Sequence, residues 1–412
     1  MTPTLAPATI APALPALPVA DAFAEVPVMN PDTQLGVYVH VPFCQKHCPY
    51  CDFAVVTGML HRAPDYVDAL CAEIRAGATR HAPNPPVSTI FLGGGTPSLL
   101  PPAQIGRILD AVRGAFAVRP AAEITLEANP GPLRPRHLEG FRVAGVNRLS
   151  LGMQTFNARG LAALGRTHTP EDGHAAVQNA RAAGFAVSLD LIFGWEGQTL
   201  ADWREDLQTA LALRPDHLSI YSLTVEEGTP LAYAVGAGAT TLPDDDAAAD
   251  MFFVADELLP PAGYAHYETS NYALPGRRSR HNANYWQNGD YLGFGVGAHS
   301  HRHDRRWWNP RDFHAYLAGI AAGDLATDGE TLPPVTAMGE TMLLGLRLAE
   351  GVSMAAFAAR HGREVGDVYG PLLAELAAQG LVALDNGRVA LTARGRPLAD
   401  MVAARFVADG AG

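Results

Sequence analysis

From residue 35 onward, six short β-rich runs alternate with segments of helical period, and this rhythm most narrows what the chain can become. The runs lie at 36–41, 88–92, 123–127, 148–151, 187–193 and 217–221; the helical segments lie near 64–79, 101–116, 135–144, 170–183 and 199–213. Strands separated by helices return to the same end of a sheet and run parallel. The pattern therefore predicts an α/β fold whose parallel sheet is open or curled into a partial barrel. Helix starts are marked, as in Thr169-Pro170-Glu171-Asp172, by a capping residue followed by a first-turn proline. Polar residues gather where the strands end. Cys44 follows the first, 93–96 the second, Glu127 and Asn129 the third and Gln154 the fourth, while Asp190 lies in the fifth. Sites in such folds form at the carboxyl ends of the strands, so one shared site is expected.

The rest of the chain organises around that unit. At 412 residues, two or three domains are expected from roughly 100–200 residues each. Residues 1–34 are rich in Ala and Pro and read as a disordered leader. No Lys or Arg precedes Lys46, so the basic start of a signal peptide is missing. Residues 35–230 form the barrel-like unit, and residues 231–310, dense in aromatic residues, His and Gly, extend it. Residues 311–412 turn Ala-rich and helical and end in a hairpin over Asp385-Asn386-Gly387, which reads as a winged-helix-like domain. A formal charge of -12 excludes a general nucleic-acid binder. No apolar run nears the ~20 residues of a membrane span, which leaves at most peripheral membrane contact and predicts a cytoplasmic protein.

Of the four cysteines, Cys44, Cys48 and Cys51 fall in HVPFCQKHCPYCDF on the loop after the first strand, and Cys71 sits mid-helix as a core residue. A structural zinc site would need a fourth ligand from His40, His47 or Cys71. Three close thiolates better suit a [4Fe–4S] cluster with one iron open to an exchangeable ligand.

The cysteine spacing, together with GGGTPS (93–98), LEANP (126–130), RLSLGMQTF (148–156), GRTH (165–168), DLIFG (190–194) and HLSIYSLTVEEGTPL (217–231), resembles the radical S-adenosylmethionine superfamily. Within it the chain is similar to the oxygen-independent coproporphyrinogen III oxidase-like group, from about residue 35 to the end. The resemblance implies a partial (β/α)6 TIM-like barrel with a mostly helical C-terminal domain. It implies that Cys44, Cys48 and Cys51 hold the cluster. Gly94, Gly95, Thr96, Glu127, Gln154, Arg166 and Asp190 would contact S-adenosylmethionine, with Tyr38 and Tyr50 close by. Glu127 could instead pair with Arg148. The chain departs from the group at Trp195-Glu196, where a Leu-Pro pair is usual, which puts that loop's conformation in doubt.

Group members that decarboxylate coproporphyrinogen carry one more cysteine two residues after the cluster, where this chain has Phe53. The heme-chaperone branch shares that ending and an H-N-x-x-Y-W motif, here His281-Asn282-Ala283-Asn284-Tyr285-Trp286. The resemblance thus implies a heme carrier in which His281 ligates iron and Tyr285 and Trp286 stack on the porphyrin. Heme would pass to respiratory or storage hemoproteins, and a homodimer is compatible. The alternative is an oxidase acting through a 5′-deoxyadenosyl radical. His299, His301 and His303 form a further run open to metal, to heme or to solvent.

Overall fold

The computed structural model describes residues 34–409 apart from 132 and 326; the leader expectation, on 1–33, lies outside the described residues. The six runs form strands β1 (Leu35–Val41), β2 (Val87–Gly94), β3 (Val118–Ala128), β4 (Arg148–Gln154), β5 (Ala186–Phe193) and β6 (His217–Ser222). Helices follow as α1 (Ala63–Arg80), α2 (Pro102–Ala115), α3 (Pro135–Ala144), α4 (Ala158–Ala163), α5 (Pro170–Ala182) and α6 (Leu200–Leu213). All six strands are parallel and lie side by side in sequence order. With no reversal in strand order, every right-handed crossover falls on one face and the sheet curls into the expected partial barrel.

Alternation along each strand sorts the two faces. Val187, Leu189, Leu191 and Phe193 of β5 pack in the core shared with Trp203 and Leu207 of α6. Their neighbours turn inward: Ser188 bonds His217 at 2.7 Å, and the Ser150 hydroxyl donates to Asp190 at 3.0 and 3.1 Å. The lumen is polar because its side chains partner one another across strands. Capping boxes at Thr169/Asp172 and Thr199/Asp202 start α5 and α6, as the first of these segments predicted.

Strands β7 (Ala265–Glu268), β8 (Asn271–Ala273), β9 (Tyr291–Phe294), β10 (His299–Arg302), β11 (Arg305–Trp308) and β12 (Asp328–Thr331) widen the sheet. Its full order is β12-β11-β10-β9-β1-β2-β3-β4-β5-β6-β8-β7. The helix Arg280–Trp286 lies across the amino-terminal ends of β2 and β3. Arg280 donates to Ala121 O and Ser88 O, and the N–H groups of Arg280 and His281 donate to the Glu123 carboxylate.

The expected division at 311 assigns the helix Phe313–Ala322 to the C-terminal part. Here its Phe313 and Tyr316 pack in the barrel core, and a second core begins at Met338, with Phe357, Tyr369, Leu372 and Phe406. That second unit carries the expected hairpin, Val382–Asp385 against Arg388–Leu391, joined by Val352–Ser353. Asn386 and Gly387 turn it with φ of 50° and 72°, the primed-turn geometry that suits Asn-Gly.

Candidate metal centre and cofactor site

The loop after β1 carries all three cysteines as half-buried free thiols. Its base is clamped from β2: Gly95 N–H donates to Val41 O at 2.9 Å and Thr96 N–H to Phe43 O at 2.8 Å. The approach requires glycine. A Cβ on Gly95 would sit 2.7 Å from the Pro42 carbonyl carbon, and one on Gly94 (φ 109°) would meet the His40 ring at 2.4 Å. His40 itself ties the far side of the loop, with Nε2 2.8 Å from Ala54 O and Nδ1 3.0 Å from the Tyr38 hydroxyl.

Each of the three offered fourth zinc ligands is already hydrogen-bonded to a backbone carbonyl. His40 is bonded as described, His47 Nε2 lies 3.0 Å from Cys51 O, and the buried Cys71 donates to Arg107 O. Among the described residues no group of three or more His, Cys, Asp or Glu closes on a single ion. The donor set fits a larger multi-iron group with one open corner better than one tetrahedral cation.

Arg166 organises the floor beside the thiols. Its Nη1 lies 3.5 Å from Cys48 Sγ, while Nη2 donates to Gly152 O at 3.0 Å and to Asn129 Oδ1. Its Nε is buried without a partner, an unspent donor of a charged fork. Asn129 in turn donates to Thr96 Oγ1, which sits 3.8 Å from Cys44 Sγ. Asn129, marked in the sequence only by its place at a strand end within LEANP, thus links two of the expected site residues, Arg166 and Thr96. Gln154 takes a left-handed φ of 65°, an uncommon conformation for a non-glycine residue.

Tyr50 packs with Leu164, Ile192 and Trp195 beneath the cysteine loop. The Trp195 ring is buried, and Arg159 lies 5.9 Å over it. The departure at Trp195-Glu196 therefore fills the loop's underside with an indole. Gly194 N–H closes the turn by donating to Gln198 at 2.6 Å. Lys46 lies on the exposed side of the loop near Gly165.

Glu127 does not pair with Arg148: it accepts from Gly94 N–H at 3.0 Å, whereas Arg148 donates to Arg277 O. Burial, with Asp190 nearby, lifts the Glu127 carboxyl to about 8, against the pull of the Gly94 N–H. Burial also raises Asp190, opposed by the hydroxyls of Ser219 and Ser150. Two carboxyls facing one polar lumen can receive hydroxyl or ammonium groups of a ligand. In the ligand-free chain folding favours protonated Glu127. That stability is complete below the ordinary carboxylate range and is lost as pH rises to about 8. Glu127→Gln should therefore lose less stability than wild type between about pH 5 and 8 in urea titrations; equal slopes would overturn this.

His281 is placed differently from the expectation. It is 1% exposed, with Nδ1 2.8 Å from Thr89 Oγ1 and Nε2 2.8 Å from the Tyr285 hydroxyl, and its ring stacks on Phe91. Burial holds it neutral, its pKa lowered to about 3. Both nitrogens are engaged inside the barrel, so the ring presents no free ligand atom, and Tyr285 is committed to it. Trp286 lies under Arg347, 4.4 Å away. His301 is buried with Nδ1 toward Gly289 O, and His303 sits at an exposed left-handed turn (φ 55°). His299 lines a cavity of about 270 Å³ with Tyr38, His40, Phe53, Tyr285 and Arg311.

Comparison with known proteins agrees with this geometry. The model of the radical SAM superfamily matches residues 38–210, and that of the HemN C-terminal domain matches residues 332–398. The heme chaperone HemW of Mycobacterium tuberculosis is 40% identical over 377 residues, 90% of this chain and 94% of that protein. The heme chaperone HemW of Escherichia coli is 43% identical over 269 residues, 64% of this chain and 69% of the relative. Among solved structures, the coproporphyrinogen III oxidase HemN of Escherichia coli, a radical SAM enzyme, superposes with a TM-score of 0.79. It is 28% identical and covers 92% of this chain and 91% of its own. Among the described residues no helix is long and apolar enough to cross a membrane.

Proposed function

The chain belongs to the heme chaperone HemW family within the radical SAM superfamily, and from that premise we propose that it carries heme and delivers it to acceptor hemoproteins in the cytoplasm. Cys44, Cys48 and Cys51 hold a [4Fe–4S] cluster. Gly94, Gly95, Thr96, Glu127, Gln154, Arg166 and Asp190 hold S-adenosylmethionine, with Tyr38 and Tyr50 packing beside it. Bound together, these groups supply one-electron reduction at a sulfonium. The unspent Arg166 Nε suits the methionine carboxylate, and the lumen carboxyls suit its amine or the ribose hydroxyls. A homodimer is compatible with this role.

Phe53 is the observation that favours carriage over turnover. Two residues after Cys51, where the oxidases of the group carry a further thiol, this chain places a ring 59% exposed at the rim of the cavity. The second reading, oxidative decarboxylation of coproporphyrinogen III, rests on the likeness to HemN. One assay divides them. Anaerobically reconstituted protein receives reductant, S-adenosylmethionine and coproporphyrinogen III, and vinyl product is measured; a parallel sample is titrated with heme. The carrier reading expects a stable heme complex and no product above background. Repeated turnover to protoporphyrinogen would sink it.

A further inference from the structure

We propose that heme binds at the cavity between the cysteine loop and the β9–β10 turn, with His299 as its iron ligand and Arg311 as the partner of a propionate. The proposal rests on the heme-carrying reading above and gives that cargo a place.

The turn that presents His299 is built with care. In GVGAHS (295–300), Gly295 N–H donates to the buried Glu73 carboxylate at 2.8 Å and Val296 N–H donates to the Tyr66 hydroxyl at 3.1 Å. Glu73 also accepts from the Tyr316 hydroxyl and from Asn309 Nδ2, both at 2.6 Å. Gly297 (φ 64°) lets the turn approach the cysteine loop, where a Cβ would come within 2.9 Å of Ala54. Asn309 N–H then donates to Ala298 O, and His299 opens β10 opposite Trp308. A fixed backbone therefore delivers one imidazole to the rim of the cavity.

That imidazole is available. The His299 ring stacks on Trp308, with centroids 5.5 Å apart, and makes no hydrogen bond among the described residues. His281 and His40, by contrast, have both nitrogens engaged. Partial burial, with Arg311 and Arg306 nearby, lowers the His299 pKa, so its ring is neutral and its lone pair free to bind iron. Tyr38, Phe53, Tyr285 and Tyr291 give the cavity aromatic walls suited to a porphyrin. Arg311 spends one Nη2 bond on Asp52 O at 2.6 Å and offers the rest of its fork to a carboxylate. At about 270 Å³ the cavity lies just below the roughly 300–1,000 Å³ of pockets that enclose a whole ligand. It takes one edge of a macrocycle and leaves the other accessible, as a protein that hands heme onward requires. Asp52, Phe53 and Ala54 join this cavity directly to the cysteine loop.

The test uses the full chain with its cluster reconstituted, titrated with ferric heme and followed at the Soret band. His299→Ala is expected to lose the imidazole-ligated spectrum and to bind at least tenfold more weakly, and added imidazole is expected to restore the spectrum. Arg311→Gln is expected to weaken heme binding several-fold while leaving heme dimethyl ester, which lacks free carboxylates, unaffected. A His299→Ala spectrum identical to wild type, or one lost and not restored by imidazole, would overturn the assignment of His299. Equal losses for heme and its ester in Arg311→Gln would overturn the propionate contact. Failure of the wild type itself to bind heme would instead sink the carrier reading, so the two failures are distinguishable.

Discussion

Cys48→Ser should abolish the iron–sulfur cluster. A serine hydroxyl is a harder and far less acidic donor than a thiol, and a cluster held by three protein ligands has no spare one. Anaerobic reconstitution of the wild type is expected to give about four irons and four sulfides per chain, with sulfur-to-iron charge-transfer absorption. The variant is expected to fall close to zero in both. Cys71→Ser is the control: that thiol is buried on α1 and donates to Arg107 O, away from the loop, so its cluster content should match wild type. Full iron and sulfide in Cys48→Ser would refute the ligand assignment, as would stoichiometric zinc without iron in the wild type.

Arg166→Lys should weaken S-adenosylmethionine binding by roughly ten- to a hundredfold while leaving the cluster in place. The guanidinium serves Cys48 Sγ, Asn129 Oδ1 and Gly152 O at once and keeps Nε for a ligand. A lysine ammonium is a point charge on a flexible stem and cannot span those positions. Loss of one charge-assisted hydrogen bond is worth about 1.5–3 kcal/mol, which is that range of affinity. The measurement is a titration of the reduced protein with S-adenosylmethionine, read from the electron paramagnetic resonance spectrum of the cluster. An affinity within twofold of wild type would show that Arg166 only braces the loop.

Much of the architecture was legible because it follows from local periodicity. Apolar alternation in 187–193 and the capped helix after Thr169 are properties of a few consecutive residues, and both formed as expected. The positions GGGT, Glu127, Gln154, Arg166 and Asp190 were found by motif, and the curled parallel sheet brings them to its carboxyl ends around the cysteine loop. Local sequence could not assign partners. A carboxylate and a guanidinium at the ends of adjacent strands suggest an ion pair between Glu127 and Arg148, yet strand register sets Glu127 opposite Ser150 and two register positions from Arg148. The helix Phe313–Ala322 looked like its Ala-rich successors, but Phe313 and Tyr316 stack against Tyr66 in the barrel core.

The histidines show the same divide most sharply. An H-N-x-x-Y-W motif marks His281, and nothing in those six residues reveals that Thr89, 192 positions away, will take one ring nitrogen while Tyr285 takes the other. His299 reads in the sequence as the first of a run with His301 and His303 open to metal, heme or solvent, set apart only by its place in GVGAHS. Sequence by itself determined the alternating strands and helices, the three clustered thiols, and the phenylalanine that stands where an oxidase would have a fourth, since each is a matter of residue type and short spacing. Only the tertiary structure decided which polar groups are already bonded and which stay free. That depends on strand register and on the glycines that let distant backbones touch, and it leaves His281 bonded through both nitrogens in the barrel and His299 stacked on Trp308 at its rim.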